Sequence, residues 1–429
     1  MPASADHHAL TKGREITTLL ALGAVQFTHI IDFMIMMPLG AQLMRVFDIT
    51  PAQFTHLVAS YGLAAAVSGF IGGFFMDRFD RKRALLITYT GFGLTTLACA
   101  LAPTHHWLLV ARLAAGAFGG LAGALVNAMI ADVIPPERRG RATSVVMSAF
   151  PMASVLGVPA GLILAGKFGW HAPFFMLAGC AVLTLTVAAL ALPHLRTAVH
   201  GHEPIRQMRE ILTHGIHLRA LALGAVLIMG AVLIMGGGCL VPFIAPSMVA
   251  NMGIAESELP IAYVVGGVCA LVSMPVIGWL SDHVDRLRLL TGISVAAAVV
   301  AVIITQLGPS SLGFVSMMMA FFMVTMSGRF APAMAMITNA VQSRYRGGFM
   351  AVNSALQQAA SALATALAGV FVTRDPAGHL VGYHILGYIA VGFFALTVVL
   401  GAVLRNAAPH VAIPATKKSA LAEPLATAA

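Results

Sequence analysis

The sequence predicts an all-α membrane protein with twelve transmembrane helices in two pseudo-symmetric six-helix bundles. Three observations carry that expectation. Hydrophobic residues make up 59% of the 429 positions and charged residues 10%, against about 45–50% and about 25% in soluble chains. The apolar residues gather in stretches that meet the roughly 20 residues required by a hydrocarbon core of about 30 Å. Features of the first half also recur in the second at a nearly constant offset. Such a composition excludes a soluble enzyme. The net charge of +9 would suggest nucleic acid in a soluble chain, but in a bilayer it has first to be tested against orientation.

The stretches cover residues 16–39, 54–76, 84–102, 107–131, 142–166, 172–192, 217–246, 258–280, 289–307, 313–338, 348–372 and 381–404. Charged or Pro/Gly clusters separate them. Residues 1–15 form an N-terminal tail, 16–192 the first bundle, 193–216 a polar linker, 217–404 the second bundle and 405–429 a C-terminal tail. The first stretch is longer than a signal-peptide core and lacks a small-residue cleavage site, so it reads as a retained span. Lys and Arg segregate by side: Arg45, Lys167 and Arg374 lie on one, and the runs at Arg78 to Arg83, Arg138 to Arg141, Arg196 to Arg219 and both tails lie on the other. Basic short loops stay in the cytoplasm. Both termini and the linker are therefore expected there, with the chain integral to the cytoplasmic (inner) membrane. Basicity then reports topology, and no nucleic-acid partner is implied. Cys99, Cys180, Cys239 and Cys269 fall inside apolar runs without Cys-x-x-Cys spacing, which indicates neither a disulfide framework nor a zinc site. No Gly-x-Ser-x-Gly or His-Glu-x-x-His occurs, so no enzyme activity, metal or cofactor is expected.

The repeat is specific. Gly73-x-x-x-Asp77-Arg78-x-Asp80-Arg81-Lys82-Arg83 follows the second stretch, and Gly278-x-x-x-Asp282-His283-x-Asp285-Arg286-x-Arg288 follows the eighth, 205 residues later. Pro38 and Pro242, placed at the ends of the first and seventh stretches, differ by 204, and Arg139-Gly140 and Arg346-Gly347 by 207. Two parallel six-helix repeats are the architecture of a rocker-type secondary transporter, whose site lies between the halves near mid-membrane.

The loop Gly-x-x-x-Asp-Arg-x-x-Arg-Lys-Arg resembles the signature of the major facilitator superfamily, and the resemblance covers nearly the whole chain. Arg112-x-x-x-Gly116 and Asp132-x-x-Pro135-x-x-x-Arg139 are similar to further motifs of that family. Gly157-Val158-Pro159-Ala160-Gly161 resembles the Gly-Pro-Gly pattern of its drug:proton antiporters, the arabinose-efflux-like permeases especially. Two departures stand out: Asp80 replaces the usual glycine, and Val158 interrupts the Gly-Pro pair. The resemblance implies a gating charge relay of Gly73, Asp77, Arg78, Arg81, Asp132 and Arg139, matched in the second half by Gly278, Asp282 and Arg286. It also implies that Gly157, Pro159 and Gly161 seal the bundle against proton leak. A topogenic basic loop and an ordinary kink are the alternatives.

Asp32 is the one carboxylate deep in an apolar stretch. Its insertion costs about 2.5–3.5 kcal/mol, so it has to be neutral, paired or facing water. Counting about 1.5 Å per residue puts Asp32 and Arg112 at similar depths, roughly 8–12 Å below the outer surface. They are candidate proton-coupling partners, with a static ion pair as the alternative. The matching position in the second half is Gly236, so the acid belongs to the first half alone. His29, three residues before Asp32, could share its proton or bond to backbone. Met36, with Met34 and Met37 beside Asp32, offers a flexible thioether to an apolar ligand or to the core. Arg329 lies towards the inner half of the tenth stretch with no acid to match, and either meets substrate or snorkels to the interface. Asn353 and Gln357 share a helical face, for a ligand or for helix packing.

These readings converge on a proton-coupled antiporter that exports a small amphipathic compound, drug-like or a sugar, by alternating access. Its expected partners are that substrate, protons and the lipid bilayer, with the monomer as the functional form and the proton gradient as the only driving agent. The rivals are proton-coupled uptake of an organic anion, which leaves Arg112 or Arg329 free for a carboxylate, and a non-transporting membrane sensor.

Overall fold

The computed structural model describes residues 12–75, 79–134, 138–192, 220–341, 346–408 and 411. The linker 193–216 and most of both tails lie outside these. In chain order the helices are α1 (Lys12–Ile35), α2 (Gly40–Val46), α3 (Pro51–Phe75), α4 (Arg81–Ala100), α5 (His105–Val133), α6 (Arg139–Met147), α7 (Ala149–Met152), α8 (Val158–Phe168) and α9 (Ala172–Ala191). They continue as α10 (Ala220–Ala250), α11 (Leu259–His283), α12 (Arg286–Gln306), α13 (Leu312–Gly328), α14 (Phe330–Asn339), α15 (Arg346–Phe371) and α16 (Tyr383–Ala407). A hairpin of β1 (Thr373–Arg374) and β2 (Leu380–Val381) joins the last two. Among the described residues, each of the twelve apolar stretches runs mostly as helix. Ten of these helical segments are long and apolar enough to cross a membrane. The remaining two stretches are α4, of 20 residues, which opens on Arg81-Lys82-Arg83, and α15, of 26, which carries Asn353 and Gln357.

Prolines account for where the helices depart from plain spans. α1 stops at Ile35, and a turn through Pro38 leads into α2, because the residue before a proline is driven out of helical geometry. Pro242 was expected to end its span likewise. Instead α10 runs through Pro242 and Pro246 to Ala250. A proline strips the N–H from the carbonyl four residues back, here that of Gly238, and the Thr365 hydroxyl donates to that same carbonyl at 3.2 Å. Tyr383 Oη donates to the nearby Leu240 carbonyl at 3.2 Å. With the Gly238 carbonyl supplied from a neighbouring helix, α10 continues past Pro242. The fifth span is split, with a π-helical turn at Ala153–Gly157 just before Pro159. The tenth is broken between α13 and α14 at Arg329, three residues before Pro332.

The chain forms two compact units. The first holds α1, α3 from Ser60 onward, and α4 to α9; the second holds Met37–Ala59 with α10 to α16. In the first unit Leu22, Val25, Leu85, Phe92, Leu125, Val126 and Met129 form a continuous core. In the second Val226, Met229, Leu290, Met336, Ile337 and Phe349 do so. Large apolar side chains also face outward, with Ile87 72%, Leu190 83% and Val272 66% exposed. On a water-soluble surface such faces would drive association; on a membrane protein they meet lipid.

Helix N-caps repeat between the units. Asp80 accepts from the Arg83 N–H at 2.8 Å and Asp285 from the Arg288 N–H at 2.9 Å, each starting its helix. The residue that departs from the family pattern at position 80 is thus a capping aspartate, which satisfies an otherwise orphaned donor.

Candidate functional site

α1 carries His29 and Asp32 one turn apart on the face turned into the first unit. Asp32 and Arg112 are both fully buried, and Arg112 Nη1 donates to Asp32 Oδ2 at 2.8 Å and to the Asp32 carbonyl at 3.1 Å. The guanidinium lies over the Tyr61 ring, 4.3 Å from its centre. Tyr61 Oη and His29 Nδ1 share a hydrogen bond of 2.6 Å. His29 therefore bonds to a phenol and not to Asp32. Oδ1 of Asp32 completes no hydrogen bond, and the buried Thr96 hydroxyl also has no hydrogen-bond partner. A buried ion pair with a spare acceptor oxygen is costly to assemble, and removing either partner strands the other charge.

Glycines on α5 make this geometry possible. A Cβ on Gly116 would strike the Tyr61 backbone, and one on Gly119 would stand 2.5 Å from Tyr61 Oη and 2.8 Å from His29 Nδ1. α3 can thus approach α5 closely enough to bring Tyr61 between His29 and Arg112. On the other flank, Gly157 and Gly161 admit Ile31 and Ile35 of α1: a Cβ at Gly157 would collide with Ile31 Cδ1, and one at Gly161 would stand 2.6 Å from Ile35 Cδ1. With Pro159 they bend the fifth span along the stretch of α1 that holds Asp32. Met36 is fully buried beyond it, and Met34 Sδ receives the Ser154 hydroxyl at 3.9 Å.

Of the relay residues, Arg81 Nε meets Asp132 Oδ2 at 3.1 Å. Asp132 is a third exposed, so the pair is partly screened. Asp77 and Arg78 lie outside the described residues, as do the side chains at Gly73 and Arg139. In the second half Arg286 stands 4.0 Å from Asp282 and donates to the Val411 carbonyl at 3.2 Å. A Cβ on Gly278 would meet nothing within 4 Å, so packing does not demand a glycine there.

Arg329 does not snorkel. It is 1% exposed, lies 4.0 Å over the Phe394 ring, and donates from Nη2 to the Leu233 carbonyl at 3.4 Å. Asn353, also 1% exposed, packs its amide where Gly230 leaves α10 bare. Gln357 Nε2 points to Met334 Sδ at 3.6 Å. Sequence reasoning misses Tyr61 and Phe394, which look like ordinary residues of apolar stretches. The spacing Gly116-x-x-Gly119-Gly120 is the one available signal for Tyr61, since it marks where another helix comes close.

The family model described as Major Facilitator Superfamily matches residues 22–234 and 226–428. A chloramphenicol resistance protein of Streptomyces lividans is 29% identical over 57% of this chain and 59% of its own length. A gallate transporter of Pseudomonas putida is 30% identical over 32% of this chain and 31% of its own. The chain thus matches less than two thirds of the length of either relative. Among solved structures, a bacterial homolog of the human lysosomal transporter Spinster, in an inward-facing and occupied conformation, superposes with a TM-score of 0.75 at 16% identity, covering 94% of this chain and 99% of that one. With the family model matched across both halves, the chain belongs to the Major Facilitator Superfamily.

Proposed function

We propose that the protein is a proton-coupled antiporter that exports a small amphipathic compound across the cytoplasmic membrane by alternating access. The observation that carries this reading is the fully buried ion pair of Asp32 and Arg112. An arginine stays charged at any working pH, so Asp32 is the member of the pair that can take up a proton. Protonation removes the charge that holds the guanidinium, leaving it on the Tyr61 ring and the Asp32 carbonyl. The helices bearing the two residues are then free to shift. Proton loss restores the pair. Because Gly236 stands at the matching position of the second half, the acid that responds to the gradient lies in the first half. Resistance to chloramphenicol in the Streptomyces relative supports export of a drug-like compound.

Arg81 and Asp132 act in this reading as a gating contact on the cytoplasmic side, where both termini also lie, and the monomer is the working unit. The test is flux in everted vesicles. Asp32→Asn is expected to abolish transport driven by a pH gradient while folded protein stays in the membrane. Undiminished flux in that variant would remove the coupling mechanism.

A further inference from the structure

The second unit contains a buried cation that the proton-coupling site does not use. Arg329 sits where the tenth span breaks. Pro332 lacks the N–H that would bond to the Gly328 carbonyl, and the guanidinium enters the unit from that break. Around it are the Phe394 ring at 4.0 Å, the Leu233 carbonyl at 3.4 Å and Met326 Sδ at 4.0 Å, while Nε has no hydrogen-bond partner. Among the described residues no carboxylate pairs with it. A ring face, one long bond to a carbonyl and a thioether sulfur are weak company for a charge that cannot be given up, since an unpaired buried ion carries a large desolvation cost.

The repeat sharpens the point. In the first half the acid on the first span answers the cation. In the second half the matching position is Gly236, and a Cβ there would run into the Phe394 ring, the ring beneath Arg329. An aromatic therefore takes the room that an acid would need, and the counter-charge has to come from elsewhere. On α15, Asn353 is 1% exposed, and its Oδ1, which has no donor, packs against α10 at Gly230, one turn from Leu233. One fork of N–H donors and one waiting acceptor are the pairing that a carboxylic acid with a neighbouring hydroxyl or N–H satisfies.

We propose that Arg329 docks the carboxylate of the transported compound, so that the substrate is an amphipathic monocarboxylate whose apolar body lies against Met326 and Phe394 beside it. This rests on the transport reading and names the substrate class for it. The experiment measures binding to the purified full chain in detergent, without a gradient, so it is blind to proton coupling. Benzoate, phenylacetate and cinnamate are titrated against their methyl esters, with sodium chloride as the inorganic anion. The acids are expected to bind at least tenfold more tightly than the esters and than chloride. Arg329→Gln is expected to lose that preference. Should Arg329→Gln fail to fold, Arg329→Lys, which keeps the charge but loses the planar fork, is expected to weaken the acids by several fold and leave the esters unchanged. Equal binding of acids and esters, no binding of either, competition by chloride at the same concentration, or an unchanged preference in the Arg329 variants would each overturn the proposal. If instead the acids bind as expected while Asp32→Asn transports normally, the coupling mechanism falls and the carboxylate site stands.

Discussion

Asparagine at position 32 keeps the shape of a protonated aspartate and removes its charge, which makes the Asp32 and Arg112 pair suitable for a thermodynamic cycle. Both side chains are fully buried, with Nη1 to Oδ2 at 2.8 Å. Breaking a buried pair by removing one partner costs about 3–5 kcal/mol. Because the Asp32 carbonyl and the Tyr61 ring still receive the guanidinium, Asp32→Asn belongs at the lower end, about 3 kcal/mol. For a cooperative unit of this size, roughly 2–4 °C of Tm is lost per kcal/mol, so the variant should melt about 6–12 °C lower. Arg112→Gln strands the carboxylate and should cost about as much. The double variant puts two neutral amides in the site and should lose less than the two singles together, with a coupling of about 2–3 kcal/mol. The assay is thermal unfolding of the four proteins in one detergent, followed by tryptophan fluorescence. Additivity of the two singles to within about 0.5 kcal/mol would refute the idea that the two charges hold each other.

Three further outcomes are expected. Gly119→Ala pushes a methyl group into the hydrogen-bonded His29 and Tyr61 and should cost about 1–3 kcal/mol; the cost should shrink when Tyr61→Phe removes the hydroxyl, and an unchanged melting curve would contradict the packing. Thr365→Val strips the donor from the Gly238 carbonyl and should destabilise by about 0.6–2 kcal/mol, whereas Thr365→Ser should melt like the parent; equal melting of Val and Ser variants would argue against the bond. In the exposed hairpin, slight burial works to raise the Asp375 carboxyl, but bonds from the His379 N–H at 2.7 Å and the His379 ring at 3.3 Å outweigh it and hold the group below its usual 3.8. A depressed acid stabilises the fold above its unfolded value, and that stability disappears as pH falls through the lower folded value. Amide protection at His379 should therefore persist down to about pH 4 and fade below it, and Asp375→Asn should remove the transition; a pH-independent profile in the parent would count against this.

The twelve spans are legible in the sequence because lipid demands long apolar stretches, and among the described residues each of those stretches runs mostly as helix. Their interruptions are harder to read. Pro38 and Pro242 look equivalent at an offset of 204, yet the chain turns before the first and continues through the second. What separates them is a hydroxyl on another helix, which no local pattern encodes. The meeting of Asp32 with Arg112 can be reasoned out from depth alone, since two opposite charges in an apolar medium have few other partners. The partner of His29 cannot: Tyr61 is on the next span, 32 residues on, and reaches the ring only because Gly116 and Gly119 have no side chains. Arg329 is visible in the sequence as an unmatched cation, but its full burial and the Phe394 ring beneath it emerge only from the fold.

The bond between Thr365 and the Gly238 carbonyl has one more outcome. α10, at 31 residues the longest helix among the described residues, has entrusted one rung of its ladder to α15. Bending α10 at Pro242 would pull that oxygen off the hydroxyl, and no backbone N–H is available to replace it. The two helices are expected to tilt as a linked pair, with Thr365 serving as the pin that transmits bending from one to the other.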